Sequence, residues 1–101
     1  MVVSVICDGT QIEKVKKYFF DKNKKCDIVP VPFFNECYVF WFDQTDSDQQ
    51  LFAISININN LKFIDEPSEE VQYLVISQYP EFIYALKKIN DNIKMILKME
   101  S

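Results

Sequence analysis

The chain has 101 residues, of which 49% are hydrophobic and 15% aromatic, and it contains a single Gly. This composition is typical of a folded domain with a buried core and excludes a disordered tail. The formal net charge is −4, and the sequence has neither His nor Arg, which removes the commonest general base, the commonest metal ligand and bidentate phosphate recognition.

No apolar run reaches the roughly 18 residues that a membrane span requires, and the N-terminus lacks a basic start followed by a long apolar segment. We therefore expect a soluble, cytoplasmic (intracellular) protein with no membrane partner. The three cysteines are an odd number without a C-x-x-C pair, so we expect them to be reduced and structural. They are Cys7, Cys26 and Cys37. We expect no cofactor and no bound metal.

The first elements are a strand and a helix. Residues 2–7 form an apolar run without alternation, which predicts a buried strand. A helix is predicted from Thr10 to about Asn23, because Thr10 and Glu13 match a capping box and apolar residues follow at helical spacing. These apolar residues are Ile12, Val15 and Phe19.

The middle of the chain predicts further strands. Residues 26–32 contain two prolines, which place a second strand at an edge of the sheet. Residues 37–42 and 51–58 are rich in aromatic and β-branched residues and predict a hairpin across the polar residues 43–50. The first of these runs is apolar on both faces, which predicts a central strand covered on both sides. Residues 61–64 predict a fifth short strand.

The last third predicts helices. Residues 65–70 combine capping side chains, a proline and carboxylates, as is typical of a helix N-terminus. Over residues 68–78 the pattern leaves both helix and strand open. Pro80 ends this segment, and an apolar stripe then predicts a helix from Pro80 to about Lys98. The stripe consists of Phe82, Leu86, Ile89, Ile93 and Ile96.

The predicted order is therefore β-α-β-β-β-α-α, with the fifth strand before the last two helices. It indicates an α+β fold: a single two-layer domain over residues 1–101, with a mixed, mostly antiparallel sheet of four to five strands and helices packed on it. The first two strands would be parallel if they are neighbours.

Residues 7–10, C-D-G-T, join the first strand to a helix N-terminus, a place that favours anions and catalytic groups. The D-G-T fragment resembles part of the motif D-x-D-G-T of the haloacid dehalogenase phosphatases, but the nucleophilic aspartate would fall on Ile6. A cysteine phosphatase would need an Arg. We expect no enzyme, and keep a small enzyme at the Cys7 to Thr10 turn as an alternative with an activated thiol.

Charge is distributed unevenly. Residues 36–81 hold one Lys and nine acidic residues, which repel nucleic acid and attract basic protein surfaces. Six lysines lie between Lys14 and Lys25, so a nucleic-acid-associated protein using the Lys14 to Lys25 face is a second alternative.

Asp43, Asp46 and Asp48 invite comparison with a calcium site. The EF-hand template does not fit, because Leu51 and Asn57 stand where it requires Gly and Glu. We interpret the three residues as solvated acids at a hairpin tip.

The leading hypothesis is a non-enzymatic protein-interaction module, because aromatic residues exceed what one small sheet face needs. The contact residues would be Phe33, Phe34, Tyr38 and Trp41, rimmed by Asp43, Asp46 and Asp48. The partner would present a basic or aromatic-accepting surface. Every basic residue is Lys, and the chain is rich in Asn, Ile and Phe, which indicates an AT-rich coding sequence such as that of a low-GC bacterium or a virus. Within the leading hypothesis we expect a viral or mobile-element accessory protein that binds a host protein. A homodimer through the last helix or an exposed sheet edge is also expected.

Overall fold

The computed structural model of the chain describes the backbone of residues 2–100 and the side chains of residues 2–96. Within these residues the chain is an α+β protein with one three-stranded antiparallel sheet and four α-helices. Internal contacts divide it into two units, Met1–Asp43 and Gln44–Ser101. That residues 1–101 form a single domain stays a prediction, and its two end residues lie outside the described residues.

The sheet belongs to the first unit. Strand β1 spans Val2–Asp8, β2 spans Ile28–Pro30 and β3 spans Cys37–Asp43, in the spatial order β1-β3-β2. Because β3 pairs antiparallel with both neighbours, it is confirmed as the central strand, and β2 is confirmed as an edge strand. The prediction of four to five strands is wrong, since the described residues contain three.

β1 has one buried and one exposed face. Val5 and Cys7 are buried, whereas Val2 and Ile6 keep 62% and 61% of their surface exposed. The strand itself is confirmed, but the prediction that it is fully buried is wrong. An unbroken apolar run is compatible with burial of both faces of a strand, but it does not establish that both faces are buried.

Helix α1 spans Ile12–Asp21, two residues inside the predicted limits at each end. Val15 and Phe19 are buried at the predicted helical spacing, and so is Ile12. The Phe19 ring meets the ring of Phe40 on β3 edge to face, with the ring centroids 6.4 Å apart. This contact packs α1 on one face of the sheet.

The turn before α1 replaces the predicted capping box. The Thr10 hydroxyl donates to Oδ1 of Asp8 over 2.6 Å, and the backbone N–H groups of Thr10 and Gln11 donate to the same oxygen over 2.9 and 3.0 Å. Glu13 lies 3.6 Å from the Lys16 ammonium. The capping box between Thr10 and Glu13 is wrong, because Asp8 already holds the Thr10 hydroxyl.

The predicted hairpin between residues 37–42 and 51–58 is wrong. Most of the second run lies in helix α2, which spans Ser47–Ile56. The Asp46 carboxylate accepts hydrogen bonds from the N–H groups of Asp48 and Gln49 over 2.9 and 3.4 Å, so the helix begins inside the polar segment. The hairpin that does form joins β2 to β3 through residues 31–36.

The sequence pattern of α2 resembles that of a strand because the helix is buried on several sides. Phe52, Ile54 and Ile56 are buried, and so is Ala53 between them. A helix that is buried all round has no apolar stripe, so the alternation of its large residues matches a strand equally well.

The predicted fifth strand is also wrong, because Ile58–Phe63 is a 3-10 helix. The Asn57 side chain accepts a hydrogen bond from the Asn59 N–H over 2.9 Å. The buried Asn60 amide donates to the Ala53 carbonyl over 2.8 Å. These asparagines turn the chain directly after α2.

Helix α3 spans Glu69–Gln78, so the segment that the sequence leaves open is helical. Ser68 caps it by accepting a hydrogen bond from the Val71 N–H over 3.2 Å. Val71 and Val75 are fully buried, which accounts for the β-branched content of this helix.

The single helix predicted from Pro80 to Lys98 is wrong. The chain forms a 3-10 helix over Pro80–Ala85 and, after a non-helical stretch, helix α4 over Asp91–Glu100. Leu86 and Ile93 of the predicted stripe are nevertheless buried.

The non-helical stretch before α4 is hydrogen-bonded to α3. Oε1 of the buried Gln72 accepts a hydrogen bond from the Asn90 N–H over 2.7 Å, and Nε2 of Gln72 donates to Oδ1 of Asn90 over 3.3 Å. Asn90 directly precedes α4, so these bonds fix where the last helix begins.

A second buried amide joins three segments of the same unit. Nε2 of Gln50 donates to the carbonyl oxygens of Gln44 and Glu66 over 2.6 and 3.2 Å, and its Oε1 accepts from the Ser68 N–H over 2.9 Å. Gln50 is only 2% exposed. Its buried amide therefore satisfies three backbone groups, of which the Gln44 carbonyl lies in a buried hydrogen bond and the other two in part-buried ones.

Replacing Gln50 by Ala is expected to lower the free energy of unfolding by about 2–4 kcal/mol, because two carbonyls and one N–H lose their buried partner. Gln78→Ala, at the exposed end of α3, is the matched control and should change it by less than about 0.5 kcal/mol. Denaturant titrations followed by circular dichroism measure both. Equal stabilities for the two variants would contradict this role of Gln50.

Candidate functional site

The pairing register assigns each strand residue to one of two faces of the sheet, because residues directly opposite each other share a face. Val5 lies opposite Phe40 on the face that α1 packs against. The other face contains Ser4 opposite Trp41, and both Ile6 and Val29 opposite Val39. We call this second face, formed by Val2, Ser4, Ile6, Val29, Val39 and Trp41, the tryptophan face.

The tryptophan face is apolar and largely open to solvent. Val2, Ile6 and Val29 are exposed over 62%, 61% and 48% of their surface, while Val39 and Trp41 are half-buried. A cleft of about 450 Å³ lies beside Trp41. Its other lining residues are Val2, Asp27, Ile28 and Val29. The solvent face of an antiparallel sheet is commonly polar, so this apolar face is unusual.

Trp41 lies on the tryptophan face, but Tyr38 does not share this face. Tyr38 lies opposite Cys7, on the side of the sheet that α1 packs against. The structure therefore separates these two predicted contact residues. Val2, Ile6 and Val29 take the place beside Trp41.

Phe33 and Phe34 lie in the loop between β2 and β3, with exposures of 104% and 67%. Phe33 has a φ of 68°, in the left-handed region that bulky residues rarely adopt. The loop is closed by the Val31 N–H, which donates to the Cys37 carbonyl over 2.9 Å. Trp41 lies four residues after Cys37 in β3, which corresponds to about 13 Å along the strand. The exposed Phe33 and Phe34 are therefore separated from the half-buried Trp41, which lies toward the other end of β3.

The predicted acidic rim divides between the two units. Asp43 ends β3 opposite Val2, at the border of the tryptophan face. Asp46 and Asp48 lie at the start of α2, where Asp46 is the N-cap. In the described part of the chain, no group of three or more His, Cys, Asp or Glu residues is arranged to hold a metal ion.

The Cys7 to Thr10 turn lacks the features of an activated thiol. Burial raises the pKa of the Cys7 thiol, and the charges of Asp8 and Cys37 raise it further. The hydrogen bond from the Thr10 hydroxyl lowers the pKa of the Asp8 carboxyl, together with the N–H groups of Gln11 and Thr10. Asp8 thus occupies the donors that an anionic substrate would use.

The lysine stretch is exposed, but it lies among acids. Lys16 pairs with Glu13, and the Lys22 ammonium lies 5.8 Å from the centroid of the Tyr18 ring. Residues 1–43 hold six Lys and six acidic residues. The Lys14 to Lys25 face therefore belongs to a unit with no net charge, which weakens the electrostatic attraction that nucleic-acid binding requires.

The second unit contains a groove that the sequence interpretation missed. It has a volume of about 650 Å³ and lies between α2 and α3. Its lining residues are Leu51, Glu69, Glu70, Tyr73, Leu74, Ser77 and Gln78. The sequence predicts a strand at Leu51, so a groove between two helices cannot be inferred from it at that position.

Asp46→Ala is expected to lower the free energy of unfolding by about 1 kcal/mol, because two N–H groups at the start of α2 lose their acceptor. Asp48→Ala is the matched control, because it removes a carboxylate from the same helix turn but keeps the cap, and the helix dipole accounts for an expected loss of about 0.3–0.5 kcal/mol. Denaturant titrations compare the two, and Asp46→Asn should retain most of the stability. A larger loss for Asp48→Ala than for Asp46→Ala would contradict the capping role.

A protein carrying Cys26→Ser and Cys37→Ser retains Cys7 as its single thiol. Iodoacetamide is expected to alkylate it more slowly than free cysteine, and the rate should rise at a higher pH, because a raised pKa delays thiolate formation. Mass spectrometry between about pH 7 and pH 10 measures these rates. In denaturant Cys7 should react like free cysteine. Faster alkylation in the folded state would instead support the enzyme alternative.

No protein-family model, curated protein or solved structure matches this chain. None of the helices within residues 2–100 has both the length and the apolar character to cross a bilayer. Trp41 and its exposed neighbours on the sheet are therefore the features from which a function is inferred.

Proposed function

We propose that this chain is a non-enzymatic protein-interaction module that binds its partner through the tryptophan face. The observation that carries the proposal is the exposure of Val2, Ile6 and Val29 beside Trp41. Contiguous exposed apolar surface marks interaction sites, and tryptophan is among the residues that most often dominate binding energy.

The border of this face indicates the chemistry of the partner. Asp27 lines the cleft beside Trp41, and Asp43 ends β3 opposite Val2. An apolar centre with carboxylates at its margin is complementary to a protein surface with a protruding apolar side chain flanked by Lys or Arg. Phe33 and Phe34 supply a second contact at the far end of the hairpin.

The partner would be a host protein if the chain is a viral or mobile-element accessory factor. The composition is compatible with that origin, because the exclusive use of Lys as basic residue and the abundance of Asn, Ile and Phe indicate an AT-rich coding sequence. An accessory factor of this kind acts by occupying or scaffolding its target, for which an exposed apolar face is sufficient.

Two alternatives have weaker support. A nucleic-acid-associated protein would use the Lys14 to Lys25 face, whose unit holds equal numbers of Lys and acidic residues. An enzyme at the Cys7 to Thr10 turn would need a thiolate from a buried thiol whose pKa is raised.

Trp41 is the single tryptophan, so its fluorescence reports directly on the proposed face. Affinity capture from the source cell with wild-type and Trp41→Ala protein identifies proteins that only the wild type retains. Titrating each purified protein into the wild type should shift the Trp41 emission to shorter wavelength and reduce its quenching by acrylamide. Trp41→Ala should weaken binding by about thirtyfold, measured by calorimetry.

Phe20→Ala is the matched control, because Phe20 is 82% exposed on α1, away from the tryptophan face. It should bind the partner as the wild type does. A partner that binds Trp41→Ala and wild type equally, and leaves the emission unchanged, would rule out this face. Capture of oligonucleotides at low salt, lost in Lys16→Glu with Lys17→Glu, would favour the nucleic-acid alternative.

A further inference from the structure

The outer edge of β1 offers an unused row of backbone hydrogen-bonding groups. β1 pairs with β3 along one side, and the sheet order places no strand on its other side. In the part of the chain that the structure describes, no other backbone hydrogen bond joins residues 2–7 to another segment. An extended strand in this state is a template for pairing with another strand.

The two edges of the sheet differ in how they are protected. Edge strands are commonly shielded by short length, proline or charge. β2 has three residues, ends in Pro30 and follows Asp27. β1 has seven residues, and residues 2–7 contain no charge, proline or glycine. The protection is therefore missing at one edge only.

We propose that β1 pairs antiparallel with β1 of a second copy of the chain, which joins the two sheets into one continuous sheet of six strands. The contact would be isologous, with the same segment used by both copies, as in most homodimers.

The distribution of charge favours a second copy as the occupant. The net charge of −4 comes from residues 44–101, because residues 1–43 hold six Lys and six acidic residues. Two copies would therefore meet through their neutral units, along a segment that carries no charge. Like-charge repulsion, which normally opposes self-association, is absent from this contact.

Symmetry restricts the register. A two-fold axis perpendicular to the sheet keeps each residue on its own face, so only residues an even number apart can lie opposite each other. Pairing centred on Ser4 places Val2 opposite Ile6 of the second copy. Pairing centred on Val5 would instead place the Asp8 carboxylate opposite Val2, although Asp8 is engaged in the turn before α1. The register centred on Ser4 is therefore favoured.

The α1 helices of two copies leave room for each other in this arrangement. The Phe19–Phe40 contact packs α1 against β3, which is three strand spacings, about 14 Å, from β3 of the second copy. A helix with its side chains is about 10–12 Å wide, so two α1 helices fit side by side. On the opposite side, the two Trp41 side chains would lie in one row with Ser4 of each copy between them.

Introducing a charge at Ser4, next to the two-fold axis, tests the proposal. Ser4 is exposed in a single chain, so Ser4→Lys or Ser4→Glu leaves the monomer without a buried charge. In a dimer of either variant, two like charges would lie opposite each other. Light scattering after gel filtration should show a wild-type dimer, and each variant should dissociate at least about tenfold more readily. An equimolar mixture of the two variants should recover the dimer.

Val29→Lys is the matched control, because it adds the same charge on the same face at the β2 edge, and it should leave the dimer intact. Circular dichroism confirms that each variant is folded. If the Ser4 variants fail to fold, Ile6→Lys mixed with Val2→Glu tests the same register. A wild-type monomer at the highest concentration, dissociation by Val29→Lys, or no recovery in the mixture would each overturn the proposal. None of these results depends on the partner proposed for the tryptophan face.

Discussion

β3 is hydrogen-bonded to β1 along its whole length and to β2 through residues 38–40, and the arrangement of the first unit depends on this constraint. Because β3 lies between two strands, its side chains contact other groups above and below the sheet. Phe40 and Phe42 on one face are buried, and α1 packs against Phe40. Val39 and Trp41 on the other face are only half-buried. The sequence of β3 is apolar on both faces, but only the face with Phe40 and Phe42 is buried. The tryptophan face is the apolar face that remains exposed.

The parts of the fold that could be predicted from sequence are those whose signal is local and distinctive. The prolines around β2 have no N–H to donate, which excludes a central position in any fold. The apolar spacing of α1 matches one period only. α2 could not be predicted as a helix for the same reason, because burial on several sides removes the polar face that would reveal the helical period. The Asp46 cap was present in the sequence, but three acids in a polar octet are equally typical of a turn.

The candidate site could be predicted only in part, because membership of a face depends on strand register. Trp41 was identified by its type and by its place in an apolar strand. Val2, Ile6 and Val29 were not, since their position beside β3 depends on pairings between segments far apart in the chain. Tyr38 lies three residues before Trp41, and residues three apart in a strand lie on opposite faces, so its separation from Trp41 follows from the sequence alone. Side-chain alternation therefore predicts which residues of one strand share a face. It does not predict which residues of different strands lie beside each other, because that depends on the pairing register.

The proposed partner surface and the proposed dimer edge draw on the same property of residues 1–43. Without net charge, this unit neither repels a second copy nor attracts a distant charged partner. Long-range attraction of a basic partner would then come from the net charge of −4 that residues 44–101 carry, whereas the lifetime of the complex would depend on apolar contact and shape at Trp41. Pairing through β1 would extend the tryptophan face across two chains without covering it, because strand addition uses the backbone edge and leaves both faces open. A dimer would therefore present two Trp41 clefts on one surface, so that a partner with two apolar protrusions could gain affinity by engaging both.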